Sequence, residues 1–280
     1  GSCTKSMTAT LCALLVEDGT LAWNRTMAEG FPDLAPTMDV GWRTATLEQL
    51  LTNRSGAPES LHADGLGARL RRLTGPTPPQ RIALLEGVVA RPPLTPPGTR
   101  FRYSNAGFSM AGAMAERTAG VAYEELMRAR LFAPLGITTA GFGTPGAAAA
   151  LDEPRGHRAD GAPVEPGPGT DNPEAIAPAG RVHMTIEDWA RYVGLHLEGA
   201  RGAPRLLSEA SFRRLHTAPV GFEYAMGWIV ADRAWAKGRV LTHAGSNTLW
   251  FCVTWIAPEV DLATLVCLSL IHISEPTRPY

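Results

Sequence analysis

The chain begins with GSCTKSMTATLCALLVEDG (residues 1–19), and this stretch carries the first indication of both fold and chemistry. Only two of the 26 basic residues in the 280-residue chain are lysines, Lys5 and Lys237, and all the others are arginines. Lys5 stands three residues after Ser2. This exception indicates that position 5 needs a property that arginine lacks.

The spacing of apolar residues predicts a helix over residues 2–17, with Gly19 as its stop signal. Side chains at i and i+3 share one face of a helix, so we expect Ser2 and Lys5 to be neighbours. The apolar positions that set this pattern are Met7, Leu11, Leu14 and Leu15.

Lysine and arginine differ in whether they can lose a proton near neutral pH. A guanidinium stays charged, whereas burial or a nearby charge can lower the pKa of a lysine from its usual value of about 10.4. A neutral Lys5 beside Ser2 can take the hydroxyl proton and create a nucleophile, and the positive end of the helix dipole favours the alkoxide. Because S-x-x-K is a short pattern, chance is the alternative explanation for this motif alone.

A second segment, PPGTRFRYSNAGFSMAG (96–112), places two polar side chains after a rigid turn and just before a predicted helix. Tyr103 could act as a phenolate base beside a lysine ammonium. Asn105 could orient Lys5 or the substrate. Taken alone, a tyrosine in this position is more typical of packing.

A third segment, LTHAGSNT (241–248), places His243 and Gly245 at the end of a predicted strand. Glycine there lets the backbone approach a ligand closely. Taken alone, His243 is more typical of an ordinary strand residue.

Turn signals divide the chain into a mainly helical part (1–200) and a sheet-forming part (220–267). Helices are predicted at about 107–118 and 122–131, and the remaining predicted helices begin at the capping residues Thr46, Thr185 and Ser208. A Pro- and Gly-rich loop covers 152–180, a length typical of functional or disordered segments. Four short runs predict antiparallel strands, namely YAMGWIV (224–230), GRVLTHAG (238–245), TLWFCVTWIA (248–257) and LATLVCLSL (262–270).

Composition argues against several classes of function. A formal net charge of −1 without a basic excess argues against nucleic-acid binding. The longest apolar runs, near 249–257 and 262–273, are too short to cross a bilayer, which takes about 20 residues. GFGTPG (141–146) matches G-x-G-x-x-G but lacks the strand-then-helix context of a dinucleotide site, so we expect no cofactor.

The cysteines and histidines show no spacing typical of metal ligands, so we expect no metal. Cys12, Cys252 and Cys267 are predicted to be small buried apolar residues.

Three motifs form a specific combination, namely S-x-x-K at the start, Y-x-N about 100 residues later and H-x-G far downstream. In this order they resemble the serine β-lactamase and penicillin-binding-protein superfamily, and most closely the class C β-lactamase-like serine hydrolases and esterases. Supporting segments in family order are LLTNRSGAP (50–58), APLGI (133–137), PAGRVHMTIEDWARY (178–192) and YAMGWIV (224–230).

The resemblance implies an α+β, β-lactamase/transpeptidase-like fold, in which a helical region packs on an antiparallel sheet and the site lies between them. It implies one serine hydrolase domain over 1–267. Carried over, Ser2 is the nucleophile, Lys5 its activating partner, Tyr103 the general base and acid, and Asn105 a contact to substrate and network.

The same resemblance assigns His243 and Gly245 to the strand motif that binds substrate, where many family members have a lysine in place of the histidine. The backbone N–H groups of Ser2 and Ser246 would form the oxyanion hole. The substrate implied is a small-molecule acyl compound, with no nucleic acid, metal or obligate protein partner.

The sequence departs from the family at both ends. The segment that precedes S-x-x-K in the family and the C-terminal helix that covers the sheet are both missing, so we expect a domain truncated at both ends. LSLIHISEPTR (268–278) resembles a translated sequencing adapter, which predicts that 268–280 are a non-native tail, with a genuine last strand as the alternative. Localisation is left open, although the resemblance is compatible with export to the periplasm.

The sequence supports one preferred functional interpretation and three alternatives. The preferred reading is a serine hydrolase that forms an acyl-enzyme with small uncharged esters or amides, because a mostly neutral His243 attracts a substrate carboxylate less than a lysine does. The alternatives are a β-lactamase or D-Ala-D-Ala carboxypeptidase and a penicillin-binding sensor that turns over slowly. A non-catalytic fragment is the third possibility.

Overall fold

Helix α1, Thr4–Glu17, runs through the centre of the structure. The structure is a computed structural model and describes residues 1–61, 65–158, 160–167 and 169–269. Every α1 residue from Thr4 to Leu15 is buried, on all faces of the helix. A helix buried all round must be enclosed by other elements, so α1 is the core around which the rest packs. The predicted helix is confirmed except at its start, where Ser2 and Cys3 lie in the preceding turn.

Five of the remaining helices begin at side-chain caps. As predicted, Thr46, Thr185 and Ser208 accept a hydrogen bond from the backbone N–H three residues on. The helices are α2 (Met27–Gly30), α3 (Leu47–Leu51), α4 (Leu66–Leu70), α5 (Thr77–Val89), α6 (Asn105–Ala119), α7 (Tyr123–Leu126), α8 (Ala177–Gly180), α9 (Ile186–Ala200) and α10 (Glu209–Leu215).

A buried arginine ties three of these helices together. The guanidinium of Arg81 on α5 is fully buried and forms ion pairs with Glu116 on α6 and with Glu124 on α7, the latter at 2.8 Å. Glu116 also accepts a hydrogen bond from the backbone N–H of Tyr123 at 2.9 Å. Removing either carboxylate would leave a buried charge partly unpaired, so the network fixes how α5, α6 and α7 meet.

Four antiparallel strands form the main sheet in the order β5-β6-β7-β8, which is also their order along the chain. They are β5 (Ile229–Arg233), β6 (Gly238–Ser246), β7 (Phe251–Ala257) and β8 (Leu262–Leu268). Helix α9 packs on β7 and β8. Helices thus precede the sheet and cover it, which is the α+β architecture expected from the sequence.

The long loop predicted over 152–180 contains short regular pieces. A two-stranded ladder joins β2 (Gly156–His157) to β3 (Pro163–Val164), and α8 closes the segment. A second ladder joins β1 (Gly141–Phe142), within GFGTPG, to β4 (Val182–His183). Of the suspected tail, Leu268 ends β8 and Ser269 follows it, while residues 270–280 lie outside the described part of the chain.

Three local predictions are wrong. The strand predicted over 224–230 begins only at Ile229, because Gly227, at φ +79°, turns the preceding segment against α1. The helix predicted over 122–131 is α-helical only to Leu126 and continues as a π-helix over Met127–Phe132. Cys267 is exposed on β8 rather than buried, and Cys252, which was also predicted to be buried, is only half-buried.

The buried side chains of Tyr192, His196 and His216 are joined by hydrogen bonds beside α1. His196 on α9 is fully buried, its Nε2 lies 2.9 Å from the Tyr192 hydroxyl, and its Nδ1 lies 2.8 Å from Nε2 of His216. Burial lowers the pKa of both histidines, that of His216 to about 3. Burial also lowers the pKa of His243, on β6, to about 3. All three imidazoles are therefore neutral in the folded protein at neutral pH.

These buried histidines predict a loss of stability in mild acid. An unfolded histidine binds a proton below pH 6.5 and a folded one with a pKa near 3 does not, so the stability present at pH 8 falls as the pH drops. Each histidine with such a folded-state pKa should lower the free energy of unfolding by about 2 kcal/mol when the pH drops from 8 to 5. Urea unfolding of the wild type and of His216→Gln at both pH values measures this. The variant should lose about 2 kcal/mol less than the wild type over that interval, and an equal loss in both proteins would contradict the assignment.

Candidate active site

Ser2 and Lys5 meet at the N-terminal end of α1. Lys5 Nζ lies 3.0 Å from Ser2 Oγ, and the Lys5 backbone N–H donates to the Ser2 carbonyl at 3.0 Å, so the turn before α1 already follows the helical path. Ser2 is half-buried, whereas Lys5 is completely buried. The spacing seen in the sequence therefore becomes a direct contact between amine and hydroxyl.

Two more oxygen atoms surround the Lys5 amine. Nζ donates to Asn105 Oδ1 at 2.7 Å and to the Ala179 carbonyl at 2.8 Å. It also lies 4.7 Å from the centre of the Tyr103 ring. Burial lowers the pKa of Lys5 from 10.5 to about 7, so a large fraction of the amine is neutral at physiological pH.

The Tyr103-Ser104-Asn105 segment is held from both sides. The Ser104 hydroxyl accepts the Gly107 N–H at 3.0 Å and so begins α6, with Asn105 as its first residue. Asn53 Oδ1 accepts the Ser104 N–H at 3.0 Å. Asn53 adopts a left-handed φ of +55°, a conformation that asparagine tolerates better than most residues.

The Tyr103 hydroxyl faces the Ser2 side chain. Burial raises the pKa of Tyr103 well above its usual value, and the contact with Ser2 only partly opposes this effect. A neutral phenol therefore faces Ser2 in the free protein, which differs from the phenolate that the sequence suggested. The pKa directions of the two side chains favour Lys5 as proton acceptor and Tyr103 as hydrogen-bond donor.

Strand β6 brings its backbone directly against the N-terminal turn. A Cβ added at Gly245 would lie 2.5 Å from the Ser2 nitrogen and 2.8 Å from the Cys3 nitrogen, both of which are backbone atoms that cannot move aside. Next to it, the backbone of Ser246 lies against Gly1. Glycine at 245 is therefore what allows strand β6 to lie directly against the turn that contains Ser2.

The structure does not bring the His243 side chain to the surface of the cleft. The imidazole is 4% exposed, its Nδ1 lies 2.6 Å from the Ala244 carbonyl and its Nε2 lies 3.2 Å from the Tyr224 hydroxyl. A carbonyl only accepts, so Nδ1 carries the proton and Nε2 accepts from Tyr224. Both ring nitrogens are thus occupied within the protein, and the depressed pKa leaves the ring uncharged.

Three residues of this site were missed by sequence reasoning as individuals, although each lies within a segment quoted for the family resemblance. Asn53 holds Ser104, the Ala179 carbonyl accepts from Lys5, and the Tyr224 hydroxyl holds His243. A backbone carbonyl has no residue-type signal, so no pattern could have identified Ala179.

A cavity of about 600 Å³ opens beside the turn that contains Ser2. Its wall includes Gly1 and Cys3 on either side of Ser2, with Asp171, Arg181 and Trp250 from three separate loops or turns. Asp171 Oδ1 accepts from the Asn247 side chain at 2.9 Å, which joins the long loop to the β6–β7 turn. Over the described residues, no group of three or more His, Cys, Asp or Glu side chains is placed to hold a metal ion.

The beta-lactamase family model matches residues 1–270. The chain belongs to the beta-lactamase family. The resemblance inferred from the three motifs is therefore confirmed. The solved structure of an octameric penicillin-binding protein homologue from Pyrococcus abyssi superposes with a TM-score of 0.74 at 23% identity, covering 97% of this chain and 61% of that one. This likeness confirms the expected fold.

The curated relatives that this beta-lactamase family member matches include a penicillin-binding protein and an esterase. Penicillin-binding protein 4 of Amycolatopsis lactamdurans is 29% identical over 245 residues, which cover 86% of this chain and 61% of that protein. Lovastatin esterase of Penicillium rubens is 32% identical over 155 residues, which cover 50% of this chain and 38% of that protein. The chain thus spans less than two thirds of either relative. Among its described residues, no helix is long and apolar enough to span a membrane.

The close approach at Gly245 predicts a steric effect. Gly245→Ala should destabilise the domain by about 1–3 kcal/mol, because the new methyl group meets only backbone atoms of the turn that contains Ser2. Thermal unfolding followed by circular dichroism measures this effect.

Gly194→Ala is the matched control, because a Cβ there, on helix α9, meets nothing within 4 Å. We expect it to leave stability unchanged or to raise it by about 0.5–1 kcal/mol, since alanine favours helix over glycine. A Gly245→Ala protein as stable as the control would show that the turn and β6 are not held in contact.

Proposed function

We propose that this domain is a serine hydrolase that forms an acyl-enzyme on Ser2 with small uncharged esters or amides. The proposal rests on the oxygens around Lys5 Nζ. Asn105 Oδ1 and the Ala179 carbonyl can only accept, so they occupy both N–H groups of a neutral amine. The remaining lone pair then faces Ser2 Oγ at 3.0 Å, within reach for proton transfer.

In the proposed acylation, the Lys5 amine takes the proton of Ser2 Oγ as that oxygen attacks the carbonyl carbon. The negative charge that develops on the carbonyl oxygen is stabilised by the backbone N–H groups of Ser2 and Ser246. Donors fixed in place before the reaction stabilise such charge without reorganising. The close contact of Gly245 with the Ser2 nitrogen supports this arrangement.

The protonated Tyr103 phenol supplies the leaving group with its proton and regains one from the Lys5 ammonium. Water then attacks the carbonyl carbon of the acyl-enzyme, the bond to Ser2 Oγ breaks, and Ser2 regains its proton. The raised pKa of Tyr103 and the lowered pKa of Lys5 support these opposite roles.

The preference for uncharged substrates rests on the charges around the site. The buried neutral His243 offers no cation to a substrate carboxylate. Arg181, in the cavity wall, already donates to the Asn172 carbonyl at 2.8 Å and lies 3.9 Å from the Asp171 carboxylate. Phe101, 42% exposed and 5.5 Å from the Tyr224 ring, adds apolar surface near Tyr103.

A second candidate is a β-lactamase, a D-Ala-D-Ala carboxypeptidase or a penicillin-binding sensor. The relative named penicillin-binding protein 4 favours it. In the sensor, Ser2 is acylated but deacylation is slow, so product would appear as a single burst without steady turnover.

The Lys5 geometry predicts how nucleophile reactivity depends on pH. A fluorophosphonate probe should modify Ser2, at a rate that rises with pH through about 7 as Lys5 becomes neutral. Peptide mass spectrometry locates the adduct. Modification at another residue, with Ser2 free, would falsify the proposal.

Lys5→Arg is the matched variant, because it keeps the positive charge but cannot lose it near neutral pH. It should react at least about 10²-fold more slowly, the usual scale for loss of general acid–base catalysis. Near-normal reactivity in Lys5→Arg would mean that a fixed cation is enough.

Substrate preference is tested by kcat/KM for p-nitrophenyl butyrate against nitrocefin at pH 6 and pH 8. We expect the ester to be the better substrate at both pH values, because His243 stays neutral across this range. Nitrocefin hydrolysis faster than ester hydrolysis at pH 8 would favour the β-lactamase, and a burst without turnover would favour the sensor.

A further inference from the structure

Three of the four cysteines lie on the wall of the cavity beside Ser2. Cys3 directly follows the nucleophile in the turn before α1. Cys252 lies on β7, and Cys267 is its partner across the ladder on β8. The proposed hydrolase mechanism uses none of these thiols.

Two of the thiols are in direct contact although they lie 249 residues apart. The Sγ atoms of Cys3 and Cys252 are 3.4 Å apart. Each also lies 3.6 Å from a β6 carbonyl, that of His243 for Cys3 and that of Gly245 for Cys252. Gly245 is the register partner of Cys252. The pair therefore joins the nucleophile turn to the same part of the sheet that carries Ser246.

The two thiols differ in exposure and in acidity. Cys3 is buried, whereas Cys252 is half-buried and faces the cavity, so a small oxidant can reach it. The hydrogen bond with Cys3 lowers the pKa of Cys252, whereas the same contact, together with burial, raises the pKa of Cys3. Cys252 therefore has the greater thiolate character, which makes it the one that reacts first.

We propose that Cys3 and Cys252 are an oxidisable thiol pair that closes to a disulfide under peroxide and thereby switches off Ser2.

The chemistry takes two steps and consumes one hydrogen peroxide. The Cys252 thiolate attacks one peroxide oxygen, the O–O bond breaks, and a sulfenic acid forms with release of hydroxide, which takes up a proton to become water. The sulfur of Cys3 then attacks the Cys252 sulfur, the S–O bond breaks, and the hydroxyl group leaves with the Cys3 proton as a second water. Two thiols are oxidised to one disulfide, and the peroxide is reduced to two waters.

Closure would alter the reacting geometry of Ser2. A disulfide bond is about 2.0 Å long, so the 3.4 Å separation has to shrink by about 1.4 Å. The backbone of Cys3 cannot move toward β7 without moving Ser2, its neighbour in the chain. Because misplacement of reacting groups by about 1 Å can cost about 10²-fold in rate, we expect oxidation to suppress acylation.

The test treats the whole chain with dilute hydrogen peroxide and maps disulfides by peptide mass spectrometry without reduction. We expect a Cys3–Cys252 cross-link within one molecule, reversed by dithiothreitol. A Cys252–Cys267 cross-link, cross-links between molecules, or overoxidation of Cys252 with Cys3 still reduced would overturn the proposal. This mapping does not depend on the proposed hydrolase function.

The effect on Ser2 rests on the proposed function and is measured by fluorophosphonate labelling. Oxidation should slow labelling by about 10²-fold, with full recovery on reduction. Cys252→Ser should label at the wild-type rate and resist peroxide, while the matched control Cys267→Ser should be inactivated like the wild type. A Cys252→Ser protein that is inactivated like the wild type, or a cross-linked protein whose labelling is not slowed, would contradict the switch.

Discussion

The complete burial of one amine determines the chemistry of this structure. Lys5 Nζ lies inside the protein with three oxygen atoms around it, those of Ser2, Asn105 and Ala179. Removing a charged amine from water is costly, and the protein responds by lowering its pKa to about 7. Since two of the three oxygens belong to groups that only accept, the amine can lose its charge and still satisfy both of its N–H groups. This explains why a chain rich in arginine has a lysine here.

The surrounding fold serves to bring these oxygens to α1. Asn105 is the first residue of α6, and the start of this helix is fixed by the Ser104 cap and by Asn53. Ala179 comes from α8, at the end of the long loop. On the other side, two glycines let the sheet and the segment before it touch the helix, because a Cβ at Gly245 would clash with Ser2 and one at Gly227 would lie 2.5 Å from Ser6 Cα. Backbone contacts of this kind set the position of Ser2 more rigidly than side-chain contacts can.

Electrostatics within the site follow from burial more than from charge pairing. Lys5 and His243 are both shifted towards their neutral forms, and Tyr103 is held as a neutral phenol. These neutral donors and acceptors are the basis of the proposed preference for uncharged acyl compounds. Through the proposed thiol pair, the contact between Cys3 and Cys252 would connect the turn that carries Ser2 to the redox state of its surroundings.

The sequence alone determined the family, the order of helices before strands, three of the capping residues and the residue types of the three motifs. Each of these features depends on residues that are close together in the sequence, such as those spaced along one helix or those in a turn beside a strand. What the tertiary structure decided was which atoms meet: the Ala179 carbonyl on Lys5, the Tyr224 hydroxyl on His243 and the two thiols in contact. It also placed the His243 ring inside the protein, whereas the motif alone suggested a ligand contact. Such pairings join residues 19 to 249 positions apart, and no local pattern specifies them, because they depend on how separate elements pack around α1.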